Sequence, residues 1–197
     1  MNLRLLRYGL WTAIAILSLL LVFTYMAGRP GEKAEGVKLG APFSLTDQNG
    51  APITEAAFEG HPTALFFGFT HCPEVCPTTL FEMAGWIKAL GEEGKDLRVF
   101  FISVDPERDT PEVMKGYTAA FTDRITGITG KPEEVDKLVK AWRVYAKKVP
   151  TENGDYTMDH TASVMLLDRD ARLKSTIDYK ESSDVALKKL RLLIAGT

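Results

Sequence analysis

Cysteine is scarce in this chain: two residues in 197, beside three histidines. That scarcity excludes a scaffold held by several disulfides, and zinc modules built on two separated cysteine pairs. No cysteine follows the N-terminal apolar run, which argues against a lipid-modified anchor. Charge of either sign is missing between Arg7 and Arg29, and no acidic residue precedes Glu32. A basic excess is missing too. The formal net charge of −2 leaves no bulk footprint for nucleic acid, and no nucleic-acid partner is expected. Internal repeats and low-complexity segments are absent, so the length suits one domain with a short appendage.

The uncharged stretch is nearly all apolar from Leu10 to Ala27. About 20 such residues at a rise of about 1.5 Å span about 30 Å of hydrocarbon. Arg4 and Arg7 precede it, which places the N-terminus in the cytoplasm and everything after Arg29 outside. A cleaved signal peptide has a shorter apolar core and a small-x-small cleavage site. Tyr25-Met26-Ala27 fits that site badly because Tyr25 is bulky. Residues 1–29 are therefore expected to be an uncleaved, single-pass anchor in the cytoplasmic (inner) membrane. The rest then faces the periplasm or the outside. Without Arg4, Arg7 and Arg29 it holds 21 basic against 26 acidic side chains, a net −5. Thiols in such a compartment oxidise unless they are maintained.

Residues 30–40 are polar and glycine-rich, as in a flexible linker. The domain proper is expected over 41–197. Phe43 to Gly50 alternates apolar and polar and ends in Asn49-Gly50, a strand entering a hairpin whose second strand lies near Pro52-Ile53. Thr63–Phe69 and Leu97–Val104 are apolar runs of buried-strand length. Thr78–Leu90 carries apolar residues at helical spacing. Thr110-Pro111 opens a helix to about Phe121, with Pro111 at its first position. Ile125–Thr129 is a short strand, and a helix from Lys131 runs through Tyr145. Ala162–Leu167 and Leu173–Ile177 pair antiparallel around Arg169-Asp170-Ala171. A last helix covers Ser183 to about Ala195. A βαβ core followed by a hairpin and a helix is an α/β sandwich. With a cysteine pair at the end of its first strand, it looks like a thioredoxin-like fold with an N-terminal β-hairpin extension, preceded by one transmembrane helix.

Both cysteines lie in His71-Cys72-Pro73-Glu74-Val75-Cys76-Pro77, between a strand and a helix. Pro77 suits a first helical position and pushes Cys76 toward the N-cap, where the helix dipole favours thiolate. Three intervening residues make a wider loop than the two usual in thioredoxin-class redox enzymes. Such a loop can close a disulfide or hold two sulfurs about a metal. A metal needs a third donor, and His61, His71 and His160 are the candidates. His160 enters the strand Ala162–Leu167, at the loop that in a thioredoxin-like fold faces the cysteines and usually holds a cis proline. Here Asp159-His160 stands there instead. Two thiolates and an imidazole suit Cu(I), whereas zinc prefers a fourth donor. A structural disulfide is the simpler alternative for an exported pair. A peroxidase reading fails because the Thr-x-x-Cys turn and a distant resolving cysteine are missing. Asp105 and Asp109 follow the second strand at the same sheet edge. They shape the metal loop or a docking face, or Asp109 or Thr110 caps the next helix. Trp86 and Trp142 fall on apolar helical faces and belong to the core.

Three motifs together resemble the Sco (SenC) proteins: Cys72-Pro-Glu-Val-Cys76-Pro77, Phe100-Phe-Ile-Ser-Val-Asp105-Pro-Glu-Arg-Asp109-Thr110, and Asp159-His160-Thr161. The resemblance covers about residues 37–195. It implies a membrane-tethered thioredoxin-like domain that binds copper, Cu(I) or Cu(II), through Cys72, Cys76 and His160. It also implies a role in assembling the binuclear copper centre of cytochrome c oxidase, by delivering copper or by keeping the acceptor thiols reduced. The implied partners are the copper-receiving oxidase subunit, a copper donor protein and the membrane. On this view the chain is a metallochaperone rather than an enzyme. The alternative is a periplasmic thiol–disulfide oxidoreductase using Cys72 and Cys76 as its redox pair.

Overall fold

The computed structural model describes residues 3–27, 36–152 and 154–196. They divide near residue 34 into two units.

The first unit is helix α1, Leu3–Ala27. Its stretch Arg7–Tyr25 is long and apolar enough to cross a membrane. Leu10, Trp11, Leu17, Leu19, Leu21 and Phe23 are all more than half exposed. A continuous apolar surface of that kind is stable in hydrocarbon, not in water.

In the second unit the elements follow in chain order. They are β1 (Val37–Lys38), β2 (Leu45–Asp47), β3 (Pro52–Ile53), β4 (Thr63–Gly68), α2 (Val75–Leu90), β5 (Arg98–Ser103), α3 (Pro111–Ala119) and β6 (Ile125–Thr129). Then come α4 (Pro132–Ala141), β7 (Ala146–Pro150), β8 (Tyr156–His160), β9 (Val164–Leu167), β10 (Arg172–Ile177) and α5 (Ser183–Ile194). Eight strands form one sheet in the order β1-β10-β9-β4-β5-β6-β2-β3. The central β4, β5 and β6 run parallel, and β9 pairs antiparallel to β4. All six residues of β4 are buried, which is why its sequence is a continuous apolar run without alternation. Its Leu65, Phe66 and Phe67 are at most 1% exposed. At about 1.5–3 kcal/mol per buried side chain of this size, the strand is a main source of stability. Trp86 and Trp142 are buried as expected.

The β2–β3 hairpin turns at Asn49-Gly50, where Gly50 has φ +81°, a region that glycine enters without strain. Thr110 caps α3 by accepting from the Val113 N–H at 3.4 Å, with Pro111 next in line.

Three differences from the sequence expectations matter. Residues 37–38 of the expected linker form β1, paired to β10 at the sheet edge, while residues 30–35 lie outside the described residues. Helix α4 stops at Ala141 and not at Tyr145, because Arg143 takes a left-handed φ of 55°. The freed segment becomes β7, which pairs with β8 in a second, two-stranded sheet of its own.

Candidate metal centre

The cysteine loop leaves β4 at Gly68 and enters α2 at Val75. The helix therefore begins three residues before the expected Thr78, and Pro77 is its third residue, not its first. The whole first turn tolerates proline, because its N–H groups have no intrahelical acceptor. Cys76 accordingly lies within the first turn instead of at the N-cap. Glu74 occupies the cap and offers no side-chain capping bond. The sulfur of Cys72 takes that part: the Cys76 N–H donates to it at 3.4 Å.

This reverses the expected roles of the two cysteines. Cys72 is half-buried and Cys76 fully buried, and both thiols are free. The Cys76 thiol donates toward Cys72 and holds it far below the ordinary cysteine range, at about 3; the N–H groups of Cys76 and Glu74 add to this, against the effect of burial. The same bond and burial push Cys76 up. Cys72 is thus the thiolate and Cys76 the protonated partner in the metal-free protein. The burial of Cys76 has a backbone cause. A Cβ built on Gly68 would meet the Cys76 sulfur at 2.8 Å and the Phe101 ring at 2.7 Å. Only glycine lets that sulfur lie against β4.

His160 ends β8 and reaches the same place. Its Nε2 is 3.4 Å from the Cys76 sulfur, and its Nδ1 is 2.8 Å from the Thr161 carbonyl. A carbonyl only accepts, so Nδ1 carries the proton and Nε2 presents its lone pair to the sulfurs. Phe66 and Phe69 pack edge-on against the ring, with centroids at 6.2 and 5.7 Å. One donor atom each from Cys72, Cys76 and His160 lies within 4.8 Å of the others. Phe69, Cys72, Pro73, Tyr145, Met158 and His160 border an open groove of about 470 Å³ at the site. The other two histidines stay apart. His71 is exposed and bonds to its neighbour Thr70. His61 precedes the opposite end of β4 and pairs with Asp96 at 2.5 Å.

The loop after β5 is more deeply involved than its sequence indicated. Asp105 and Asp109 are 1% and 0% exposed. Asp109 leaves capping to Thr110. Its carboxylate accepts from the Thr70 hydroxyl and the Ser103 hydroxyl, both at 2.6 Å, and from the Thr70 N–H at 3.2 Å. Burial pushes its pKa up, and those donors act against the rise. Asp109 thereby ties the head of the cysteine loop to β5. Asp105 accepts from the Tyr156 hydroxyl at 2.8 Å and from Arg108 at 2.5 Å. Arg108 and Tyr156 were not singled out in the sequence. The Asn-Gly dipeptide in the sequence between Val149 and Tyr156 was the signal that could have found the hairpin carrying Tyr156.

Three comparisons with known proteins bear on this site. The family model described as SCO1/SenC matches residues 31–195. The chain is similar to Bradyrhizobium japonicum ScoI, solved with copper bound: 49% identity, 79% of this chain and 99% of that one, TM-score 0.74. Arabidopsis thaliana ScoI, also solved with copper bound, is 35% identical over 81% of this chain and all of that one, TM-score 0.76. The mitochondrial protein SCO1 homolog 1 of Arabidopsis thaliana is 40% identical over 143 residues, which are 72% of this chain. The match spans 43% of that relative's own length, and 52% of the mitochondrial protein SCO2 of Saccharomyces cerevisiae.

Proposed function

The chain belongs to the SCO1/SenC family, and on that premise we propose that it is a membrane-anchored copper-binding protein. It delivers copper to the binuclear centre of cytochrome c oxidase during assembly, or keeps the acceptor cysteines reduced. Copper here is cargo. The observation that carries this reading is the meeting of Cys72, Cys76 and His160 donor atoms within 4.8 Å. Two sulfurs and one imidazole, with no carboxylate in the set, are the donors a soft, low-coordinate ion such as Cu(I) selects. Zinc would want a fourth. Helix α1 would hold the domain at the cytoplasmic membrane, with Arg4 and Arg7 on the cytoplasmic side and the site facing the periplasm. The copper-receiving oxidase subunit and a copper donor are the partners this role requires.

A second reading has its own support in the proton asymmetry of the pair. A Cys72 thiolate attacks an acceptor disulfide, and one acceptor sulfur leaves as thiolate. Cys76 then gives up its proton and attacks Cys72, releasing the reduced acceptor. Two electrons pass to the acceptor, and the Cys72–Cys76 disulfide remains. Copper binding and this disulfide exclude each other, so one loop serves either role.

Cu(I) competition on the purified chain tests the assignment. Wild type should bind one ion, and Cys72→Ser, Cys76→Ser and His160→Ala should each bind much more weakly. Unchanged affinity in all three would refute it. Rapid exchange with an acceptor disulfide, unaffected by His160→Ala, would favour the second reading.

A further inference from the structure

The β7–β8 hairpin carries His160, yet neither of its strands pairs with the eight-stranded sheet. Ladder bonds to the core therefore do not set where His160 sits. Side chains must. Tyr156 and His160 occupy the two ends of β8 and, four residues apart, share one face of it. At the Tyr156 end lies Arg108. Its Nε donates to Asp105 at 2.5 Å, and its Nη1 donates to the Tyr156 carbonyl at 3.0 Å. Its guanidinium carbon is 3.8 Å from the centroid of the Tyr156 ring and 6.0 Å from that of Phe69. Phe69 in turn meets the His160 ring at 5.7 Å and 89°. One side chain from the loop after β5 thus touches the hairpin at one end and, through Phe69, backs the imidazole at the other.

We infer that Arg108 is the positioning residue for His160. Neutralising the buried Asp105 is the simpler role, and a lysine would fill it. The geometry asks for more. Besides the bonds to Asp105 and the Tyr156 carbonyl, Nη1 reaches Asp155 at 3.4 Å, while Nη2 is buried without a hydrogen-bond partner, so polar contacts alone leave part of the guanidinium unused. A flat guanidinium is what fits between two rings while its edge holds a carboxylate and a carbonyl, and an ammonium does none of this flat packing. Arg108 so holds the Tyr156 end of the hairpin and lies within 6.0 Å of the Phe69 ring that meets His160.

The test uses Arg108→Lys, which keeps the charge beside Asp105, and Tyr156→Leu, which removes the ring and keeps the arginine. Each is made alone and in a His160→Ala background. One readout is metal-free: the nitrogen NMR resonance of His160 Nε2, which should move toward that of a free imidazole in both variants. The other is Cu(I) affinity, which rests on the copper reading of the site. Loss of an outer partner of a metal-binding histidine typically costs about 10–100-fold, so about tenfold weaker binding is expected. No further loss is expected where His160 is already alanine. Equal loss in both backgrounds, or an unmoved Nε2 resonance, overturns the inference. Were the wild-type chain to bind no Cu(I), the copper reading would fail and the resonance alone would decide about Arg108.

Discussion

The amide of Cys76 donates to the sulfur of Cys72 at 3.4 Å, so one cysteine caps the helix that contains the other. The cap is a sulfur because Glu74, at the cap position, makes no side-chain capping bond; its carboxylate accepts from the Tyr179 hydroxyl at 3.2 Å. Negative charge at a helix start is favoured, and Cys72, not Cys76, receives that help.

Cys72 should therefore react first and at low pH. Its pKa is about 3, so it is thiolate from about pH 5 to 8 and its alkylation rate should be nearly flat there. An ordinary thiol would quicken about tenfold per pH unit over that range. Brief iodoacetamide labelling of the reduced, metal-free protein, read by mass spectrometry, measures this. Labelling of Cys76 first, or a steep pH profile, would contradict it.

Gly68→Ala should damage the site from behind. The added methyl meets the Cys76 sulfur and Phe101 at under 3 Å. Overpacking of this kind costs about 1–3 kcal/mol. Urea unfolding of the metal-free protein should show that loss, and Cu(I) binding should weaken along with it. Unaltered stability would mean that the sulfur has room to move.

Asp109→Ala should be more costly. The Ser103 hydroxyl loses its acceptor in a buried place, and the Thr70 N–H and hydroxyl lose theirs in a half-buried one. A buried group left unpaired costs about 1–3 kcal/mol, and the half-buried Thr70 groups add less, so a loss of about 2–4 kcal/mol is expected in urea. Asp109→Asn keeps one accepting oxygen and should lose less. Equal effects of the two would argue that the carboxylate is not the tie.

Removing residues 1–29 should release the domain into the soluble fraction, while the full chain stays with the membrane and needs detergent. Recovery of the full-length chain in the soluble fraction would refute the anchor. N-terminal mass analysis of the membrane-bound protein distinguishes an intact helix from a cleaved one.

Much of this was legible in the sequence, for a physical reason. Strands β4 and β5 are central and buried, β5 all but Arg98, and so carry apolar runs, residues 64–67 and 99–102. Asn49-Gly50 announced its hairpin because a tight turn needs Gly50 at positive φ. The gathering of Cys72, Cys76 and His160 was anticipated. The β7–β8 hairpin was not. Lys147 and Lys148 on β7 are exposed, which left no apolar run to read, and the break at Arg143 depends on a backbone conformation that arginine does not advertise. Arg108 was hidden for a related reason: its meaning lies in two rings, Phe69 and Tyr156, far from it along the chain. The order of protonation was misjudged because Pro77 marks a first turn without saying which of its positions it holds.

The unequal burial of the three donors also fixes a direction of approach. Cys76 has its back to β4 and shows no surface, while Cys72 and His160 border the groove. On the copper reading proposed above, a partner protein would approach a bound ion from the groove, meeting Cys72 and His160 first and the buried Cys76 sulfur last.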